Sequence, residues 1–239
     1  MPYRKNQFVN DEIYHIVLRG IDSNLIFKNT DDYYRMIFSI YEFNSILPTT
    51  IRERREVINR FKKNRGPSSD VAMVDERDKL VEILVFCFMP NHIHLLLRQI
   101  KENGITKFMA KVGTGYASYF NKKYQRKGYV FQNRFKDVYI KNNNQLKVIF
   151  TYIHSNPISL IEPNWKEAGI KDPKKVTEFL ENYKWSSYQD YIGMKNFSSI
   201  TEREFILKFM DSEQGCRDAI ENWIEYKKDL KEFSEILLD

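Results

Sequence analysis

The stretch Met89-Pro90-Asn91-His92-Ile93-His94-Leu95-Leu96-Leu97 decides the fold. An apolar run, Leu84 to Phe88, precedes it and reads as a buried strand. Pro90-Asn91 marks a turn, and His92 to Arg98 reads as a second strand. Side chains on a strand alternate between its two faces. His92 and His94 therefore point the same way, while Ile93, Leu95 and Leu97 enter the opposite layer. Two imidazoles on one strand face can hold one divalent metal through a ring nitrogen each. The chain has only four histidines, so this spacing is informative.

Working outward, Tyr14 to Arg19 alternates and stops at Gly20, which predicts a strand. Asp31 to Asn44 has helical spacing, with Tyr34, Phe38 and Tyr41 on one stripe and Asn29 or Thr30 available as the cap. A long helix is expected from about Gly104 to Lys123, weakened locally by Gly113 and Gly115. A short strand follows at Asp137 to Ile140, then a helix from about Asn144 to Ser155. That helix stops near Pro157, because a residue before proline leaves helical geometry. Asn164 to Asn182 reads as an irregular excursion, and Thr201 to Asp239 as two or three short helices. The order strand, helix, strand, strand, helix, strand, helix specifies an α+β protein. It is a ferredoxin-like antiparallel sheet with helices on one face, and the last helix lies near the histidines. Residues 1–195 are read as one domain with a basic insertion at about Leu47 to Lys79, and 196–239 as a helical extension.

The 239 residues carry a net charge of +6 and a pI near 9.1, which favours an anionic partner, nucleic acid before membrane. Aromatic residues beside Lys or Arg suit stacked bases and tracked phosphates, and suit an aromatic core equally. The segment Ile51 to Ser69 is either a solvated charged helix and loop or a phosphate-contacting arm. Cys87 and Cys216 lack metal spacing; Cys87 is expected as a reduced core residue. No signal peptide or membrane-length apolar run is evident, so the expected location is the cytoplasm, without a membrane partner.

On the late helix, Tyr152 and Asn156 are four residues apart and share a face. A tyrosine hydroxyl becomes a nucleophile if its proton is removed, and an Asn oxygen can bind a hard cation. By residue type alone the pair also fits an ordinary amphipathic helix, and Tyr116, Tyr119 and Tyr124 are rival nucleophiles. His154 falls off the Tyr152–Asn156 face and is expected at the surface or on a DNA side. His15, on the first strand, is weighed as a neighbour of the histidine pair and left out of the site.

Several blocks together resemble the single-tyrosine HUH transposases, most closely the REP-associated tyrosine transposase branch. They are Tyr14 to Gly20, Phe88 to Leu97, Tyr119 to Tyr124, Gly128 to Lys136, Tyr152-Ile153-His154-Ser155-Asn156-Pro157 and Trp185-Ser186-Ser187-Tyr188, in family order. The resemblance implies that His92, His94 and Asn156 hold a divalent metal, Mg²⁺ or Mn²⁺. It implies that Tyr152 attacks a DNA phosphodiester, forming a 5′-phosphotyrosine link and releasing a 3′-OH. A later 3′-OH would then rejoin strands without ATP. The implied partner is single-stranded DNA bearing hairpins or REP-type repeats. Arg19, Lys122, Lys123, Arg134 and Lys136 are the cations expected against it. Departures are the insertion before the second strand, Phe131 where relatives carry tryptophan, and the length of Asn164 to Asn182.

A non-catalytic DNA-binding protein that retains this fold is the alternative. A metal hydrolase unrelated to DNA is disfavoured by the basic balance and by the lack of a carboxylate beside the His pair. Monomer is preferred to homodimer.

Overall fold

The computed structural model describes residues 7–47, 77–132 and 134–225. The basic segment Ile51 to Ser69, most of the insertion and the final residues 226–239 lie outside the described residues.

Four strands form one sheet: β1 (Ile13–Arg19), β2 (Val81–Met89), β3 (His92–Gln99) and β4 (Lys136–Tyr139). Their order is β2-β3-β1-β4, and each neighbouring pair is antiparallel. Helix α1 (Thr30–Glu42) connects β1 to β2, with β3 lying between them. Helix α2 (Gly104–Lys123) connects β3 to β4 in the same way. This is the ferredoxin-like arrangement expected from the element order.

Alternation along β3 sorts the two cores. Ile93, Leu95 and Leu97 pack with Met36 and Ile40 of α1 and with Phe108 and Val112 of α2. Leu96 lies with Leu84, Val85 and Cys87 in a second core on the opposite face. Helix α3 (Asn143–Ser155) covers that second face through Leu146, Ile149, Phe150 and Ile153. The expected helical layer on one face is thus formed by α1 and α2. The other face is also covered, by α3 and by later elements. Strand alternation reveals that a side chain is buried, not which element buries it.

Local signals mostly act as expected. Asn29 caps α1 in a capping box with Asp32. The inward stripe of α1 is Met36, Ile37 and Ile40, however, and Tyr34 stays exposed. The stripe of Tyr34, Phe38 and Tyr41 therefore lies beside the buried one. Asn164 to Asn182 holds a short helical turn, Trp165–Ala168, and the helix α4 (Pro173–Asn182). Asp172 caps α4 and Pro173 opens it, a start signal that the surrounding glycine and charges obscure. Two tail helices, α5 (Arg203–Phe209) and α6 (Glu213–Glu225), bring Ile206, Cys216 and Ile220 onto the second core. No helix among the described residues is long and apolar enough to cross a membrane.

Candidate active site

The turn between β2 and β3 starts the site. Gly20, at the end of β1, donates its backbone N–H to Asn91 O at 2.8 Å. A side chain at Gly20 would meet Asn24 O at 2.3 Å, so only glycine lets the chain pass here. Asn91 Nδ2 faces Ser23 O at 3.4 Å, which leaves Asn91 Oδ1 toward His92 Nδ1, 2.6 Å away. An amide oxygen only accepts, so His92 carries its proton on Nδ1 and keeps a lone pair on Nε2.

His94 lies on the same face, with ring centroids 4.8 Å apart. Its Nδ1 is 2.9 Å from His15 Nε2. Strand β1 brings His15 here because Val17 pairs with His94 and Arg19 with His92. Opposite partners share a face, so His15, Val17 and Arg19 all line the histidine side. Among the described residues, the Nε2 atoms of His92 and His94 are buried and have no hydrogen-bond partner. Burial pushes the His92 pKa down to about 3, helped by the positive charges of Arg19 and Lys166. Burial also holds His94 well below the usual histidine range, with His92 and His15 adding to the effect. Both rings are neutral near pH 7, the form that ligates metal.

Helix α3 supplies the other half. Tyr152 is 2% exposed, and its ring stands edge-on to His94 at 5.8 Å and to His15 at 6.1 Å. Asn156 is buried where α3 passes into a 3-10 turn, Asn156–Leu160, with proline at its start. Its Nδ2 donates to Tyr152 O at 3.1 Å, and its side chain also hydrogen-bonds the phenol. Burial raises the Tyr152 pKa above its ordinary value, and Asn156 and Arg19 oppose that rise. Lys166 Nζ sits 5.3 Å from the Tyr152 ring centroid. Its pKa is lowered to about 8 by burial and by Arg19.

The donor set fits a divalent cation. Two Nε2 atoms are unpartnered among the described residues, and Asn156, bonded to Tyr152, offers an amide oxygen of the kind a hard ion takes. Among the described residues no three His, Cys, Asp or Glu side chains form a metal-holding group. Any ion here would thus draw on Asn156 and on external oxygen ligands.

The structure brings Tyr152, Asn156, His92, His94 and Arg19 to one face. Lys136 also belongs to that face, since it pairs with Val17 at the sheet edge. Arg134 lies exposed just before β4, two residues after Gln132, whose N–H donates to Arg19 O. Lys122 and Lys123 end α2 on the opposite layer, and Lys123 is tied to Asp32 at 2.8 Å and Asn29 at 2.9 Å. The rival phenols are occupied there too. Tyr116 donates to Ile26 O, and Tyr119 and Tyr124 donate to Asp32. His154 is not at the surface: it is buried, with Nε2 2.9 Å from Ser187 Oγ. A helix covered by both the sheet and the tail has little outer face, which is why its off-site positions are buried. Sequence reasoning missed His15, which the β1–β3 register could have revealed, and Lys166, for which no local pattern exists.

Residues 39–156 match the protein-family model described as "Transposase IS200 like". Over these residues the chain is similar to the IS200-like transposases. The matched span holds His92, His94 and Tyr152 and ends on Asn156. His15, Arg19 and Lys166 fall outside it. Among solved structures, the chain is similar to one of a REP-associated tyrosine transposase bound to a REP hairpin. The identity is 15% and the TM-score 0.42, covering 85% of this chain and 96% of that one. No curated protein sequence matches the chain.

Proposed function

We propose that this protein is a transposase of the IS200-like kind, which cleaves and rejoins single-stranded DNA through a 5′-phosphotyrosine intermediate on Tyr152. The carrying observation is the phenol of Tyr152, hydrogen-bonded by Asn156 and set against neutral imidazoles whose Nε2 atoms are open. The substrate class is a strand with a hairpin or repeat.

Attack forms the Tyr152 Oη–P bond and breaks the P–O3′ bond. The phenol proton passes to solvent and the 3′-oxygen takes one up. The phosphodiester persists on the protein, so a 3′-OH can reverse the step and join a new strand. His92, His94 and Asn156 would hold the divalent ion, Mg²⁺ or Mn²⁺, which when bound supplies Lewis-acid polarisation of the phosphate. Asn156 orients the phenol, and Arg19 and Lys166 offset the charge that builds on phosphate and phenol. Lys136 extends the positive face toward the strand.

The test is to incubate labelled hairpin-bearing single strands from the protein's own genomic flanks with protein and Mg²⁺ or Mn²⁺, then boil in detergent. The wild type should carry label, on a peptide containing Tyr152. Tyr152→Phe removes one oxygen and should bind DNA without forming an adduct. Cleavage without any adduct would favour a water nucleophile and end the strand-transfer reading. An adduct in the Phe variant would move the nucleophile elsewhere.

A further inference from the structure

A third histidine stands behind the pair. His15 and His94 are both fully buried, with rings inclined by only 14° and centroids 5.2 Å apart. That offset brings His15 Nε2 to 2.9 Å from His94 Nδ1. One of the two nitrogens must donate and the other accept. If His15 donates, His94 carries its remaining proton on Nε2, where no acceptor lies. If His15 accepts, His94 Nδ1–H is satisfied and its Nε2 keeps a free lone pair beside His92. Only the second arrangement leaves a ligand there. It matches His92, whose Nδ1 proton is committed to Asn91. The two strands thus give each imidazole a partner on Nδ1, one from a turn and one from β1.

We propose that His15 is the positioning residue of the metal centre: it accepts the Nδ1 proton of His94 and so presents His94 Nε2 to the ion. The inference rests on the reading of His92 and His94 as metal ligands. Water cannot substitute for His15, because both rings are fully buried. Partners of this kind commonly change metal affinity by about 10- to 100-fold.

The test uses full-length protein without DNA and measures Mn²⁺ affinity from the free-ion electron paramagnetic resonance signal. His15→Phe keeps a ring but no acceptor, and should bind Mn²⁺ about 10- to 100-fold more weakly. His15→Gln places an oxygen near the old Nε2 and should recover most of that loss. A two-bond ¹H–¹⁵N spectrum of the metal-free wild type should show His94 protonated on Nδ1. Wild-type Mn²⁺ affinity in a folded His15→Phe, or an Nε2–H His94 in the wild type, overturns the proposal. If His15→Phe does not fold, the wild-type spectrum decides. If the wild type takes up no Mn²⁺, or His92→Ala takes it up equally well, the ligand assignment itself fails and carries this proposal with it. Binding by the wild type that His92→Ala weakens and His15→Phe leaves intact removes His15 alone.

Discussion

Acidification should destabilise this protein through His154, and the structure sets the size of the effect. The ring is buried against Phe150 at 4.5 Å, with Tyr188 and Tyr191 beyond and Ser187 Oγ on Nε2. Burial lowers its pKa to about 3, slightly opposed by the Phe150 backbone. An unfolded histidine titrates near 6.5. Between these values the unfolded chain binds a proton that the folded chain refuses. The ring's contribution is therefore complete above about pH 6.5 and is lost as pH falls toward 3. The slope is about 1.4 kcal/mol per pH unit, so about 2 kcal/mol is gone by pH 5. His154→Phe keeps a ring of similar size and does not titrate. At pH 8 it should be less stable than wild type by about 1 kcal/mol, for the lost Ser187 hydrogen bond. At pH 5 it should be the more stable protein. Urea denaturation in EDTA at both pH values measures the gap. His15, His92 and His94 titrate in both proteins and cancel in the comparison. A gap that is the same at pH 8 and pH 5 would refute the reasoning.

Two further expectations follow from single positions. A Cβ at Gly113 meets nothing within 4 Å, so Gly113→Ala should stabilise α2 by about 1 kcal/mol. At Gly115 the same atom would lie 2.3 Å from the Phe43 ring, so Gly115→Ala should cost about 1–3 kcal/mol instead. Thermal melts of the two variants should move in opposite directions, and equal shifts would contradict the packing of Phe43 on α2. Lys166→Met should slow adduct formation by about tenfold or more, with a smaller change in hairpin binding, and Lys166→Arg should retain part of the rate. A rate unchanged in Lys166→Met would remove Lys166 from the site.

The contrast between what was legible and what was not follows the range of the interactions. The end residues of α2, Gly104 and Lys123, and the Asn29 cap are local, and local spacing identifies them. The shared face of His92 and His94 is local too. The placement of α3 on the other face depends on which apolar stripe meets which sheet surface, over large sequence separations. The same holds for His154, whose partner Ser187 lies 33 residues away. His15 needed the β1–β3 register, which pairs Val17 with His94. Lys166 reaches Tyr152 only because the adjacent Trp165 is buried in the second core and anchors a turn that sequence reasoning left irregular.

The electrostatics of the site suit an anionic ligand. Arg19, Lys166 and the neighbouring histidines act on His92 and His94, and Arg19 also acts on Tyr152 and Lys166. Arg19 depresses Lys166, and Arg19 and Lys166 both depress the histidines. Such a cluster opposes itself. A phosphodiester lying between Arg19 and Lys166 would turn each of these repulsions into a screened or attractive one. The same anion would raise the proton affinity of Tyr152, which burial already holds above the usual phenol range. Attack near neutral pH therefore requires positive charge close to the phenol as well as to the phosphate. Lys166, over the Tyr152 ring, and a cation on the open Nε2 atoms are placed to meet those two demands separately. Tyr152 is nearly inaccessible, with Lys166 Nζ 5.3 Å from its ring. On the proposed mechanism, Lys166 would serve both the phenol and the transferred phosphoryl group.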